Sequence, residues 1–438
     1  MFDNLNSIKL CRNACTKAIG KMTQKTTISV IGLGYVGLPL ALALSKTYPV
    51  IGYDQNEERI DELVNGVDRT AEVSPATLSN STLKFTKAAK DLRSKDIFII
   101  AVPTPVDADN RPDLTALKEA SACVGRLVSR DAIVVVESTV FPGVTEDVCG
   151  PIIENNSGLK VGKEVFLGYS PERVNPGDSV HTVDKIVKVV AGQTQEVSEK
   201  LAKIYGSINE GRVFLARNIK TAEAAKVIEN AQRDINIAFM NEVAQIFERL
   251  DISTCDVLDA ANTKWNFLPF HPGLVGGHCI GVDPYYLAHI ARECGIEPTV
   301  VLSGRATNDS MADYIAATIL EKIDPNSEIL VLGLTFKENV PDLRNSKVVE
   351  IIRELLNCGH KVSVHDPLAD CEEASSLYGI NLISEFAREY DCVFGCVAHS
   401  EYTDFKLGDV LRSGGWIFDL KGLWRNSSAI SDFNYWSL

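Results

Sequence analysis

The hydrophobic pattern of the chain changes period twice. Thr27–Ile31 is a short β-branched run that reads as a buried strand and leads through Gly-Leu-Gly-Tyr-Val-Gly (Gly32–Gly37) into a helical stretch, Leu38–Ser45. A second strand, Val50–Tyr53, ends in Asp54. Three more apolar runs follow, each breaking into polar residues and proline. Asp96–Val102 ends in Pro103-Thr104-Pro105, Ala132–Glu137 in Ser138-Thr139, and Phe166–Tyr169 in Ser170-Pro171-Glu172-Arg173. Asn175-Pro176-Gly177 is a turn by composition. From Ile219 to Leu250 the period becomes helical, with Ala224, Ile228, Ala231, Ile235, Ala238 and Val243 as the expected core-facing stripe. Cys255–Ala261 continues as helix. Strands then return: Ser327–Gly333, Lys361–His365 ending in Asp366, Asp391–Val397 and Trp416–Asp419, with a helix from about Lys347 to Cys358.

Strands alternating with helices, twice over, predict an α/β chain of two Rossmann-like doubly wound domains joined by a central helical region. The expected divisions are a 1–26 extension, a dinucleotide-binding domain 27–216, a central helical part 217–312 and a second Rossmann-like domain 313–438. A helix of more than 25 residues often forms a dimer interface, so a homodimer or higher homo-oligomer through this helix is expected.

Composition narrows the function classes. At 438 residues more than one core is needed. The formal net charge of −14 leaves no basic surplus for nucleic acid or an anionic membrane. The 11 cysteines are scattered with no Cys-x2-Cys pair, which argues against a zinc ribbon or a disulfide framework and for a reducing cytoplasm. No apolar run is long enough to span a membrane, and residues 1–26 lack the apolar segment of a secretory signal.

Candidate chemistry sits at strand ends. In Gly32–Gly37 the first glycine makes the tight turn, the second admits a pyrophosphate, and the third lets helix pack on strand. Asp54, about 20 residues on, is placed to bind ribose hydroxyls and to repel a 2′-phosphate, favouring NAD over NADP. Arg59 could stack on adenine, and its charge keeps NADP as a minor option. Thr104, Thr139 and Glu172 point to one crevice beyond the carboxyl ends of the strands, although strand ends are naturally rich in such turn residues. Lys226 and Asn230, at i,i+4, either stabilise an oxyanion or hold a water, or are two solvated residues on an exposed face. Gly276–Pro284 holds Cys279, three glycines and Asp283; a cysteine among apolar residues is usually inert, whereas a thiol with a nearby carboxylate can be a nucleophile with a proton partner. The aromatic, proline-rich loop Asn262–Gly273 leads into it. His271 and His278 lack partners at ligand spacing, so no metal is expected. The second Rossmann-like domain has no Gly-x-Gly-x-x-Gly and should take a mononucleotide-like group, with Lys337, Arg344 and Lys421 able to clamp a diphosphate.

Taken in order, these motifs resemble the UDP-glucose/GDP-mannose dehydrogenase family over nearly all of the chain after residue 26. They are GLGYVG at Gly32–Gly37, Asp54 with Arg59, VPTP at Val102–Pro105, STV at Ser138–Val140, SPER at Ser170–Arg173, AAKVIEN at Ala224–Asn230, GGHCIGVDP at Gly276–Pro284 and GLTFKENVPDLRNS at Gly333–Ser346. The resemblance implies NAD-dependent, two-step oxidation of a nucleotide sugar's C6 alcohol to a carboxylate. It implies Cys279 as nucleophile, with Lys226, Asn230, Asp283, Glu172 and Thr139 as the polar catalytic set. Cofactor contacts fall to Gly32, Gly34, Tyr35, Val36, Gly37, Asp54, Arg59, Val102, Pro103, Thr104, Thr139 and Arg344. Substrate contacts fall to Glu172, Arg173, Lys226, Asn230, Lys264, Trp265, Asn266, Phe267, His271, Gly273, Phe336, Lys337 and Lys421. The loop Lys264–Leu287 looks most like the UDP-N-acetylhexosamine 6-dehydrogenases of capsule and O-antigen synthesis, so UDP-GlcNAc or UDP-GalNAc is the expected substrate. UDP-glucose or UDP-ManNAc is the alternative, and a non-catalytic nucleotide-binding scaffold the remote one.

Overall fold

The computed structural model describes residues 26–438 apart from 71, 175–181, 278–279 and 387–388. The described chain divides into two compact units: residues 26–229 with 285–295, and 230–284 with 296–438.

The first unit is built on an eight-stranded sheet of β1 (Ile28–Ile31), β2 (Val50–Tyr53), β3 (Lys84–Thr86), β4 (Ile97–Ile100), β5 (Ile133–Val136), β6 (Phe166–Tyr169), β7 (Lys188–Gly192) and β8 (Val213–Leu215). Their order is β3-β2-β1-β4-β5-β6-β7-β8, parallel except where β6 meets β7. β1, β4 and β5 are buried at every position. A parallel strand covered on both faces must be apolar throughout, which is why these runs were continuous rather than alternating. The core includes Ile28, Leu38, Leu44, Ile97, Val135 and Tyr205.

In the second unit β9 (Glu328–Leu332), β10 (Lys361–His365), β11 (Tyr390–Gly395), β12 (Leu411–Asp419) and β13 (Asn434–Ser437) form a wholly parallel sheet in the order β10-β9-β11-β12-β13. Helices Met311–Lys322 and Val348–Asn357 pack their apolar faces on one side of it. In both sheets the strand order reverses beside the first strand, and the loops that carry the motifs leave from carboxyl strand ends, as the doubly wound plan requires.

The helix Ile219–Arg249 departs from the expected stripe. Ile228 is 53 % exposed rather than core-facing. Ala231 and Ala238 are buried as expected and Ala224, Ile235 and Val243 are half-buried, but the buried side also carries Glu223, Lys226, Asn230, Asp234 and Asn241, interleaved with Ala222, Val227 and Ala244. Every one of these polar residues has work to do at a loop or a neighbouring helix.

Candidate active site

The glycine-rich turn has the geometry its sequence demands. Gly32 has φ +91°, and a side chain there would meet the Ala101 carbonyl at 2.6 Å; one at Gly37 would meet the Gly32 carbonyl at 1.8 Å. Gly34 differs, because nothing lies within 4 Å of where its Cβ would be. The helix Gly37–Ser45 starts at Val36 with no side-chain cap and no acidic residue in its first turn. An open approach over uncapped N–H groups fits a pyrophosphate. These residues, with Tyr35 and Val36, would hold NAD. Asp54, half-buried at the end of β2, accepts from the Leu33 N–H at 2.8 Å and the Asn56 N–H at 2.9 Å, leaving lone pairs for a ribose.

Arg59 corrects the expectation of an adenine stack. It is 5 % exposed, donates from Nε to the Leu33 carbonyl at 3.0 Å and pairs with Asp68 at 2.6 Å. It braces the turn from below, and the cation that kept a 2′-phosphate in play is neutralised.

The ends of β4 and β5 are tied together. Thr104 donates to the Thr139 carbonyl at 2.7 Å, Ser138 to the Val102 carbonyl at 2.7 Å, and the Tyr286 hydroxyl to the Thr104 carbonyl at 2.7 Å. Pro103 is exposed and Thr139 half-buried beside them. Beyond β6, Glu172 accepts from the Arg173 N–H at 2.7 Å and the Val174 N–H at 2.6 Å. Beneath it lies a charge cluster that the sequence reading passed over. Lys188, the first residue of β7, is fully buried with its ammonium 2.9 Å from Glu137 and 3.4 Å from Glu172. Burial works against charge throughout this cluster. Glu137 is pushed up to about 7 by desolvation, which Lys188 opposes and Glu172 reinforces. For Glu172 desolvation is outweighed by Lys188, the two N–H groups and Lys226, and its pKa falls below the ordinary carboxylate value. Lys188 is raised, its own desolvation overcome by Glu137 and Glu172. The signal was available: a glutamate ending an all-apolar strand and a lysine opening another.

Arg173 does not stand open to a ligand. Its guanidinium pairs with Glu229 at 2.8 Å and donates to the Val187 carbonyl at 2.8 Å. Lys226 and Asn230 are 8 % and 7 % exposed, which removes the solvated-face alternative. In the second unit Asn230 Nδ2 donates to Asp283 Oδ2 at 2.5 Å, both residues buried. His278 and Cys279 lie outside the described residues, as do Asn175–Gly177.

The second unit contains a cleft of about 210 Å³ lined in part by Arg233, Gly276, Phe336, Lys337, Lys347 and Lys421. Lys347 is paired with Glu350 at 2.8 Å, and the other three cations of the lining, against the one carboxylate Glu338, make it a place for an anion. Lys421 reaches water through the mouth, yet desolvation holds its pKa below the ordinary lysine value against the opposing charge of Glu338. Three glycines shape the wall. Side chains at Gly273, Gly276 and Gly277 would meet Lys421 Nζ at 2.6 Å, the Asn345 carbonyl at 2.7 Å and the Phe336 ring at 2.8 Å. Asn241 accepts from the Gly273 N–H at 2.7 Å and donates to its carbonyl at 3.0 Å; Asn345 donates to the Gly277 carbonyl at 2.8 Å. Of the expected substrate contacts, Phe336, Lys337 and Lys421 line the cleft, and Gly273 stands outside the lining against Lys421. Lys264, Trp265, Asn266, Phe267 and His271 lie outside the lining, with Trp265 92 % exposed. Arg344 folds back on Asp342 through Nε at 3.0 Å and Nη2 at 2.9 Å and is also outside it. Arg233, Lys347 and Asn241 were missed because charged and amide residues on helices read as solvated faces. Among the described residues no cluster of His, Cys, Asp or Glu is arranged to hold a metal ion.

Comparison with known proteins agrees with this geometry. Residues 26–209 match the NAD binding domain of the UDP-glucose/GDP-mannose dehydrogenase family, 220–310 its central domain and 330–426 its UDP binding domain. The chain is 52 % identical to Protein CapL of Staphylococcus aureus, covering 90 % of this chain and 96 % of that one. It is 47 % identical to a UDP-N-acetyl-D-glucosamine 6-dehydrogenase of Pseudomonas aeruginosa over the same shares. Among solved structures, a UDP-D-ManNAc dehydrogenase from Pyrococcus horikoshii superposes with a TM-score of 0.84 at 29 % identity, covering 94 % of this chain and 99 % of that one.

Proposed function

The chain belongs to the UDP-glucose/GDP-mannose dehydrogenase family, an NAD-dependent oxidoreductase family, and from that membership we propose that it oxidises the C6 hydroxyl of a UDP-N-acetylhexosamine, UDP-GlcNAc foremost, to the uronic acid. The observation that carries the choice of sugar is the 47 % identity, end to end, with an enzyme named for UDP-N-acetyl-D-glucosamine. UDP-ManNAc stands second, on the likeness to the Pyrococcus horikoshii structure. UDP-GalNAc differs from UDP-GlcNAc at one hydroxyl and is kept in the panel below.

NAD, when bound, supplies the hydride acceptor for both oxidations. The chain's residues do the rest. The cation-lined cleft takes the diphosphate, with Lys337 and Lys421 as point charges. As the C6 hydroxyl gives its proton to a water and the C6 carbon gives up its hydride, Lys226 and Asn230 steady the developing oxyanion, and the Asn230–Asp283 hydrogen bond fixes the amide for that task. The Cys279 thiolate adds to the C6 aldehyde, since an aldehyde carries no transferable hydride until a nucleophile has added. The thiohemiacetal loses its hydride to leave a thioester. A water that gives its proton to Glu172 or Asp283 then releases the acid and returns the thiolate. The product suits synthesis of acidic surface polysaccharide such as capsule or O-antigen. We place the enzyme in the cytoplasm as a homodimer joined through the helix Ile219–Arg249. The eight described cysteines are all free, in keeping with a reducing compartment.

The test is NADH formation with UDP-GlcNAc, UDP-GalNAc, UDP-ManNAc and UDP-glucose. UDP-GlcNAc should turn over fastest, with two NADH formed per sugar. A one-to-one ratio would exclude the four-electron reaction, and a faster rate with UDP-ManNAc would make that the substrate. Cys279→Ser should halt acid formation; wild-type turnover in that variant would remove the nucleophile.

A further inference from the structure

The cluster beneath Glu172 contains two side chains that the proposed reaction leaves without a role. Lys188 is wholly buried, and its three ammonium hydrogens face three oxygens: Glu137 Oε2 at 2.9 Å, the Pro171 carbonyl at 3.1 Å and Glu172 Oε2 at 3.4 Å. Its ammonium also lies 5.5 Å from the centre of the Tyr205 ring, on the helix Gln195–Gly206. A cation persists in such a place only where anions compensate it. Two carboxylates share that one cation. Glu137 has no exposed side-chain surface, while Glu172 keeps 14 % of its own open. The inner carboxylate therefore anchors the lysine and the outer one can meet a reactant. Other groups face the cluster: Lys226 from the helix Ile219–Arg249 acts on Glu172, and Tyr205 on Glu137. Arg173 is turned away to Glu229.

We propose that Lys188 and Glu137 are positioning residues for Glu172: anchored on Glu137, the Lys188 ammonium fixes the Pro171–Glu172 turn and keeps the Glu172 carboxylate ionised and ready to accept a proton from the reacting water. This rests on the oxidation proposed above, in which a carboxylate takes the proton of the water that releases the acid. It also selects between the two carboxylates left open there. The electrostatics agree in direction: a proton added to the cluster near neutral pH goes to Glu137, and Glu172 stays charged. No proton leaves Lys188 in the cycle. Water gives its proton to Glu172, and Glu172 returns it to solvent at its exposed edge.

The experiment is the pH profile of kcat for full-length Lys188→Met, read on whichever UDP-sugar the wild type oxidises. Without the ammonium, the acid limb should move up by about one pH unit or more. The variant should then lose about tenfold in kcat at neutral pH, recover as pH rises, and keep KM for NAD and the UDP-sugar within about twofold. A folded Lys188→Met variant whose acid limb overlies that of the wild type would overturn the inference, as would a loss confined to KM. Should the single variant fail to fold, Glu137→Gln/Lys188→Met removes the buried charges together and carries the same prediction. If the wild type oxidises no UDP-sugar, the proposed activity fails, and infrared titration of the Glu172 carboxylate decides this inference by itself. The midpoint must rise in Lys188→Met, and an unmoved midpoint overturns it.

Discussion

Single residues in this chain sit where their chemistry is forced, and two of them make the clearest tests. Glu137 ionises near 7 instead of 4.5 because burial penalises its charge. Between about 4.5 and about 7 the folded protein therefore holds a proton that the unfolded chain has lost. This group's contribution to stability is fully present below that window and falls as pH rises through it, by at most about 1.4 kcal/mol per unit. Glu137→Gln should flatten that slope in urea unfolding between pH ~5 and ~8; an unchanged slope would mean the proton lies elsewhere. Asp366 works in the opposite sense. Its desolvation is outweighed by His399 and by the Leu334 and Thr335 N–H groups, its pKa is depressed, and its contribution holds at neutral pH and fades as pH falls below the ordinary carboxylate range. Asp54 tests the cofactor assignment. Asp54→Ala removes a carboxylate that supports the Leu33 N–H and that we assign to the ribose, so KM for NAD should rise about tenfold or more while KM for the UDP-sugar stays near wild type. The reverse pattern would exchange the roles of the two sheets.

At the scale of elements, what was legible in the sequence follows from what each element buries. β1, β4, β5, β9 and β11 stood out because parallel strands covered on both faces must be apolar. β3, β8 and β13 are short strands at or near sheet edges, mixed in character, and offered no such signal. The helix Ile219–Arg249 misled the periodic reading for a physical reason. Its inner face must hold loops as well as fill space, so Glu223 accepts from the Gly143 and Thr145 N–H groups and Asp234 pairs with Arg305 at 2.5 Å. A stripe read from apolar positions alone then points the helix partly outward, as at Ile228. The motifs around Cys279 were readable as a string, yet the wall they face was not. It depends on Asn241 gripping Gly273 from 32 positions away in sequence. Asn241→Ala leaves the Gly273 N–H without that acceptor, a loss of about 1–3 kcal/mol. We expect KM for the UDP-sugar to rise by about tenfold, with KM for NAD unchanged; a shift in both would mean a general loss of fold. Gly277→Ala should act similarly but more severely, because φ is +78° and the new methyl would meet the Phe336 ring at 2.8 Å.

For the whole molecule, the surface of one helix bears on assembly. Ile228, Phe239, Ile246 and Leu250 are 53, 57, 49 and 59 % exposed. The first three lie on the helix Ile219–Arg249, and Leu250 follows directly after its last residue. Spacings of 11, 7 and 4 residues are each close to a whole number of turns at 3.6 residues per turn, so the four side chains line one ridge. Isolated exposed leucines mean little, but apolar side chains recurring along one line of a helix of this length are a surface that water does not favour. The opposite face is filled by the buried polar residues, so the ridge cannot turn inward without stranding them. A second copy of the chain offers the same ridge, and an isologous contact between two such helices is self-complementary. The wild type should therefore run as a dimer in size-exclusion chromatography with light scattering. Phe239→Glu/Ile246→Glu should give a folded monomer, because it adds charge only where side chains are already exposed. A monomeric wild type would refute the dimer, and a double variant that stays dimeric would place the interface elsewhere. The exposed Trp265 on the loop before the glycine-rich wall would then be the next surface to alter.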